Sequence, residues 1–199
     1  MRASAAILTL LAMLPLPAPA TTCIACHDDS ARKSWALSKH GVIARIESGR
    51  ERRRAPDCSG CHAVETVTPT LPHYGPKAGR EQAREAAWDS CRACHSPRYT
   101  TDHQAVARRG LDIGIMKQRE AAALLEAARK ESSGAELARI EALYAALQGN
   151  LRDLRLGLGH QSPDYQWWLG QAALDGSLLR IKGALGEARR ERAIATAGK

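Results

Sequence analysis

The sequence contains no phenylalanine, and aromatic residues make up 4% of it, as four tryptophans and four tyrosines. Glycine and proline are frequent between residues 41 and 114. Side chains alone would give this segment a thin hydrophobic core, because aromatic residues supply much of the buried area in a small domain. The composition therefore predicts that a group other than peptide side chains fills part of the interior.

The sequence also lacks an apolar run long enough to span a membrane. The longest run, Ala5 to Leu16, has roughly a dozen residues, whereas a transmembrane helix needs about twenty. Met1-Arg2 gives it a basic start, and Ala18-Pro19-Ala20 supplies a small-residue cleavage site. A buried N-terminal helix is disfavoured because prolines crowd its end. We expect residues 1–20 to be a signal peptide and the protein to be periplasmic, with no membrane span after cleavage.

The formal net charge is +8, which raises the question of an acidic partner. The most basic run, Arg50 to Arg54, is interpreted as a solvated loop, since basic runs are common and exported proteins seldom meet nucleic acid. Covalently bound anionic cofactors would offset much of the charge. We therefore expect no nucleic-acid partner.

All six cysteines belong to pairs that are followed at once by histidine. The three motifs are CIACH, CSGCH and CRACH, at residues 23–27, 58–62 and 91–95. Cys-x-x-Cys-His is the attachment motif of c-type haem, in which two thiols on one turn bond the porphyrin and the histidine binds its iron. The motifs predict three covalently bound haem c groups. The attachment residues would be Cys23, Cys26, Cys58, Cys61, Cys91 and Cys94, and the proximal iron ligands would be His27, His62 and His95.

Three other uses of such cysteines are disfavoured. Disulfides are common in exported proteins, but a disulfide does not require a histidine at the same offset three times. The same argument applies to a thioredoxin-like redox pair. A zinc ribbon uses its Cys pairs in twos, so three pairs would leave one over.

Four histidines lie outside the motifs: His40, His73, His103 and His160. A low-spin carrier with three haems needs three of them as distal ligands. His40 lies near the end of SWALSKHG, which is predicted to be a helix from Ser34 that ends at Gly41. His73 lies in a loop between two prolines, which limit its backbone freedom. Both are interpreted as iron ligands.

His103 is predicted to lie in the first turn of a helix capped by Thr101 or Asp102, and the ordinary interpretation, without a ligand role, is favoured for it. His160 has the strongest pattern around it. The segments on either side carry mostly apolar residues at spacings of three and four, which is typical of helices packed side by side. Their members are Leu137, Ile140, Tyr144, Leu147, Leu151, Leu154 and Leu158, then Trp167, Gln171, Leu174, Leu178, Ile181, Leu185 and Ala188.

The two segments predict an antiparallel helical hairpin with its turn at residues 159–163. Ser162 is a good N-cap, and Pro163 suits the first helical position. His160 would then stand at the tip of the hairpin, beside tryptophans broad enough to contact a haem edge. The alternative is that His160 only caps the C-terminus of its helix. The predicted fold is mainly α, with a haem-packed, loop-rich region at residues 21–101 and a helical domain at residues 102–199.

The order of these motifs resembles the C-terminal part of the multihaem cytochromes of the hydroxylamine oxidoreductase and octahaem nitrite reductase family. The matching elements are Trp35 to Gly41 after a haem motif, Pro56 to His62, CHSPRY at 94–99, and HQSPDYQWW at 160–168. The resemblance implies that His40, His73 and His160 are distal ligands and that the helical domain takes part in oligomers. Enzymes of that family carry further haems upstream, including the catalytic one, so the resemblance implies the electron-exit portion.

The sequence therefore favours a periplasmic carrier, not itself an enzyme, that passes electrons between other redox proteins through bis-histidine haems. One alternative is a small multihaem oxidoreductase that acts on a nitrogen or sulfur oxyanion at an open haem, with Arg98, Arg92 or Lys39 holding the anion. Another is an electron-outlet subunit of a larger haem enzyme. Homo-oligomers through the helical domain are a further expectation.

Overall fold

The computed structural model describes residues 29–49, 55–62 and 88–198, and these ranges contain helices and short connections without any β-strand. The predicted mainly α fold with a long helical C-terminal part is confirmed. The predicted signal peptide, the first Cys-x-x-Cys-His motif and the loop with His73 lie outside the described residues.

Three short helices come first: α1 (Asp29–Ala36), α2 (Lys39–Ile46) and α3 (Cys58–His62). A 3₁₀ turn at Cys91–Ala93 precedes the long helices α4 (Pro97–Glu131) and α5 (Gly134–His160). A short helix α6 (Pro163–Gln166) leads into a π-helical segment (Trp167–Ala172), which continues as α7 (Ala173–Ala197). The long helices α4, α5 and α7 pack against one another, and α1 packs on α5.

The predicted hairpin is formed by α5 and α7, and their apolar seam is the main core. Ile140, Leu147 and Leu154 on α5 are completely buried, as are Leu174 and Ile181 on the returning side. Packing of such side chains stabilises the hairpin by about 1.5–3 kcal/mol for each fully buried residue. The turn also agrees with the prediction, because Ser162 is the N-cap and Pro163 the first residue of α6.

The helix α4 adds a third member to this bundle, and its contact face consists mostly of small residues. Thr100, Ala107, Gly114, Ala121 and Ala128 are buried at intervals of seven residues. A Cβ atom on Gly114 would lie 2.8 Å from a methyl group of Leu154 and 2.9 Å from one of Leu151. The small residues therefore let α4 approach the hairpin closely, and this interface carries little of the apolar signal that marks the other two helices.

One seam prediction was wrong: Trp167 is 63% exposed and Trp168 is 73% exposed. Both lie in the π-helical segment, which has more residues per turn than an α-helix and so rotates the side chains out of the expected register. The segment is fixed by Gln171, which donates to the carbonyl of Gly110 on α4 and accepts from Lys117. The buried seam resumes at Leu174.

Two predicted helix boundaries are corrected. The helix expected from Ser34 to Gly41 is broken at Ser38, whose hydroxyl accepts from the amide of Gly41 and caps α2. His40 is therefore near the start of a helix and not at its end. The helix expected to be capped by Thr101 or Asp102 begins earlier, at Pro97, because Ser96 is the N-cap. Thr101 and Asp102 lie inside α4 and cap nothing.

No helix in the described part of the chain is both long enough and apolar enough to cross a membrane.

Candidate haem-ligand site

The second and third Cys-x-x-Cys-His motifs each form a single tight turn. Cys58 to His62 are the whole of α3, and Asp57 caps this turn by accepting from the amide of Gly60. In the third motif the amide of His95 donates to the carbonyl of Cys91 over 2.9 Å. A turn of this kind presents both thiols and the imidazole from five consecutive residues, as haem attachment requires.

These two motifs are in direct contact. The Ser90 hydroxyl, adjacent to Cys91, donates to the backbone carbonyl of Cys61 over 3.1 Å. Burial raises the pKa of the Cys61 thiol, and the nearby Cys91 raises it further. Burial likewise raises the pKa of the Cys91 thiol. The two Cys-x-x-Cys-His turns thus lie side by side although 29 residues separate the bonded pair.

His40 lies opposite the histidine of the third motif. The ring centroids of His40 and His95 are 5.9 Å apart, and their planes are inclined by 58°. Burial, followed by the proximity of His95, lowers the pKa of His40. The capping hydroxyl of Ser38 and its bond to the carbonyl of Trp35 fix the turn from which His40 projects. The structure therefore brings a predicted proximal and a predicted distal ligand together.

His160 lies opposite the histidine of the second motif. It is the last residue of α5, and its ring centroid is 6.5 Å from that of His62, with the planes at 86°. The next residue, Gln161, adopts a left-handed conformation with φ of 58° and turns the chain. Gly157 O then accepts from the amide of Ser162 and from the Gln166 side chain, which holds the tip in place.

The electrostatics of His160 argue against a role as a charged helix cap. Burial and, secondarily, the nearby His62 lower the pKa of His160 from 6.5 to about 4. A helix C-terminus favours the cationic form by about 0.3–1 kcal/mol, which is less than one pKa unit, so burial dominates. The neutral imidazole is the form that binds metals. Its Nδ1 atom is buried and has no hydrogen-bond partner among the described residues.

The residues present fit a haem iron between the members of each pair. Two imidazoles on opposite sides of one metal have centroids roughly 6–6.5 Å apart, for metal–nitrogen bonds of about 2 Å. The separation of 6.5 Å for His62 and His160 lies within this range, and that of 5.9 Å for His40 and His95 falls just below it. The interplanar angles of 58° and 86° are compatible with a shared metal, because a bond to the metal does not by itself fix the rotation of either ring. Each pair combines one motif histidine with one histidine from outside the motifs.

His103 belongs to neither pair and lies in the second turn of α4, four residues after Tyr99. Its ring is parallel to that of Tyr99, within 7° at 6.0 Å, and it lies 6.0 Å from the ring of Trp88. Burial and the proximity of His95 lower its pKa, and its Nε2 atom is buried with no partner in the described part of the chain. The prediction that it is not an iron ligand stays a prediction.

The three cations proposed to hold an anion are exposed or paired with a carboxylate. Arg92 pairs with Asp89 over 2.9 Å, the Arg98 side chain is 93% exposed and lies 3.8 Å from Asp102, and Lys39 is exposed. The ligand predictions for Cys23, Cys26, His27 and His73 concern residues outside the described ranges.

Two residues near the site had no role assigned from sequence. Ser90 bonds the second motif, and Tyr99 stacks on His95 with ring centroids 4.7 Å apart. Tyr99 belongs to the CHSPRY element, and its position four residues after His95 is the sequence signal that could have indicated the contact.

No model of a known protein family matches this chain. Within the described ranges, no group of three or more His, Cys, Asp or Glu side chains is arranged to hold a metal ion. A haem iron needs two protein ligands at most, since the porphyrin supplies the other four.

Proposed function

We propose that this protein is a periplasmic c-type cytochrome with three haems, which carries electrons between redox partners through irons bound by two histidines each. The observation that carries the proposal is the occurrence of two imidazole pairs at the spacing of a shared metal, His62 with His160 and His40 with His95. In each pair one member follows a Cys-x-x-Cys turn and the other comes from a distant helix. The haem at the first motif rests on sequence alone.

Each bound haem would supply a one-electron redox centre whose potential depends on its axial ligands and its burial. The chain's own residues have two tasks in this scheme. The cysteines and histidines would fix the positions of the irons, and packing at the hairpin tip would shield His160 from water. His160 is held neutral by burial, which keeps its lone pair ready for the metal.

An apolar groove next to His40 supports the third-motif site. The groove is lined by Leu37, Lys39, Val42, Ile43 and Pro163. Ile43 lies three residues after His40 on α2 and so shares a helix face with it, whereas Leu37 belongs to the turn before α2. The apolar surface therefore borders the imidazole along α2. Leu37 and Ile43 are 47% and 36% exposed, and a porphyrin face would cover such surface.

The carrier is favoured over the oxyanion enzyme on two grounds. Two of the three proposed distal histidines lie beside a motif histidine, and such pairs would leave the corresponding irons closed to substrate. Arg92 is already paired with Asp89, and Arg98 projects into solvent, so neither forms an anion site beside a haem. The partners would be other cytochromes or a larger haem oxidoreductase, and a second copy of the chain through the helical domain is a further candidate.

The test is mass spectrometry and electron paramagnetic resonance of the purified, exported protein. We expect the mass of three added haems and purely low-spin ferric signals. A high-spin signal that changes on adding nitrite or hydroxylamine would favour the enzyme instead. A protein with no added tetrapyrrole would refute the proposal.

A further inference from the structure

The chain directly after the third haem motif is built to place one aromatic ring against His95. Ser96 is the N-cap of α4, and its hydroxyl accepts from the amide of Tyr99 over 3.3 Å. Pro97 is the first helical residue, where its fixed backbone angle favours an immediate start of the helix. The N-cap Ser96 follows His95 directly, the helix begins at the next residue, Pro97, and Tyr99 is its third residue.

This placement stacks the two rings. The centroids of His95 and Tyr99 are 4.7 Å apart and their planes are inclined by 23°, which is an offset-stacked geometry. His103 also lies parallel to Tyr99, with ring centroids 6.0 Å apart. Tyr99 thus contacts the imidazoles that precede and follow it by four residues, and the residue is 45% exposed.

Stacking and metal binding use different parts of the imidazole, so both can occur on the same ring. A metal approaches an imidazole nitrogen in the plane of the ring, whereas Tyr99 covers a face. A ligand ring that is bound only through the metal turns about the metal–nitrogen bond. A ring stacked on one face loses that freedom, and ligand orientation is one of the features that an outer contact controls at metal sites.

We infer that Tyr99 is a positioning residue, which sets the orientation of the His95 imidazole on the third-motif haem; this inference rests on the proposed function. The aromatic face carries this role, and the hydroxyl does not. Ser96 acts one step further out by fixing the turn from which Tyr99 projects.

The experiment compares ferric electron paramagnetic resonance spectra of the three-haem protein and its variants, because the g values of a low-spin haem depend on the orientation of its axial ligands. Tyr99→Leu should shift the g values of one of the three signals and the reduction potential of one haem, with the haem count unchanged. Tyr99→Phe should give the wild-type spectrum. Ser96→Ala should shift the same signal by less.

Met116→Ala is the control, since it removes a 61% exposed apolar side chain from the same helix, well along α4 from the third motif, and it should leave all signals in place. A Tyr99→Leu protein with three haems and an unshifted spectrum overturns the inference alone. A Tyr99→Phe protein that reproduces the Tyr99→Leu shift also overturns it, because the hydroxyl would then be responsible. A wild-type protein without added haem mass overturns the proposed function and this inference together.

Discussion

The ring of His160 at the tip of a helical hairpin lies 6.5 Å, centroid to centroid, from the ring of His62 in the second Cys-x-x-Cys-His motif. The other described motif has the same arrangement with His40. Both pairs bring together a residue of an attachment turn and a residue from a separate helix. The predictions below test these pairings and the local structures that produce them.

Removal of a distal histidine should open one haem. His160→Ala and His40→Ala should each convert one low-spin ferric signal to high spin, and the double variant should convert two, because the pairs are separate. His103→Ala is the control and should leave the spectrum low-spin. In a protein that carries Cys58→Ala and Cys61→Ala, His160→Ala should add no high-spin signal. A double variant with a single high-spin haem would show that the pairing is wrong.

Gly157 should be required for the hairpin tip. A Cβ atom at this position would lie 2.5 Å from the carbonyl carbon of Tyr165, so Gly157→Ala forces α6 away from α5. We expect the unfolding free energy to fall by about 1–3 kcal/mol, as for other overpacked sites, with a high-spin signal from the displaced His160.

The matched control for that variant is Gly149→Ala on the exposed side of the same helix, where a Cβ atom would meet no other atom within 4 Å. It should raise the unfolding free energy by about 0.5–1 kcal/mol through helix propensity and leave the spectrum unchanged. Denaturant titration measures both variants. Equal effects at Gly157 and Gly149 would contradict the close approach seen at Tyr165.

Gly41 should be required for the position of His40. A Cβ atom here would collide with the carbonyl oxygen of Trp35 and lie 2.7 Å from the Cα atom of Ala36. Gly41→Ala should therefore separate α2 from α1 and yield a high-spin signal at one haem. Ile46→Ala, at a 70% exposed position of the same helix, should not. The measurement is the ferric spectrum at equal haem content, and a fully low-spin Gly41→Ala protein would speak against the local geometry.

Glu131 should make stability depend on pH at the opposite end of the bundle. Its carboxylate accepts two bonds from Arg189, at 2.7 and 2.8 Å, and these lower its pKa below the ordinary value of 4.5. A carboxyl group with a lowered pKa in the folded state stabilises the fold above its unfolded pKa and loses that effect as the pH falls through its folded pKa.

Glu131→Gln should therefore lower Tm at pH 7, and the difference from wild type should shrink below pH 4.5 and vanish in stronger acid. The effect is small, because the pair is exposed and salt screens it. Asp112→Asn on the same helix is the charge-matched control and should change Tm little across this range. A Tm difference for Glu131→Gln that stays constant with pH would contradict the role of this ion pair.

Sequence patterns anticipated the parts of this protein that depend on local chemistry. The three-four spacing of the leucines predicted the hairpin, because that spacing places apolar side chains on one side of a helix whatever lies elsewhere in the chain. Ser162 and Pro163 marked the start of the returning helix for an equally local reason. The motif spacing likewise defined the candidate haem sites before any coordinates.

Other features required the folded chain. The sequence from Ser34 to Gly41 is compatible with one continuous helix or with two helices broken at Ser38. The cap formed by the Ser38 side chain selects the broken form. Trp167 lies outside the buried seam because a π-helical segment changes the register of the side chains. The contact face of α4 was not predicted, because small residues do not produce an apolar pattern in the sequence. The pairing of His40 with His95 and of His160 with His62 was open, since linear spacing does not say which distant helix returns to which turn. Packing of α1 and α4 against the hairpin brought these rings together, and that is a property of the tertiary structure.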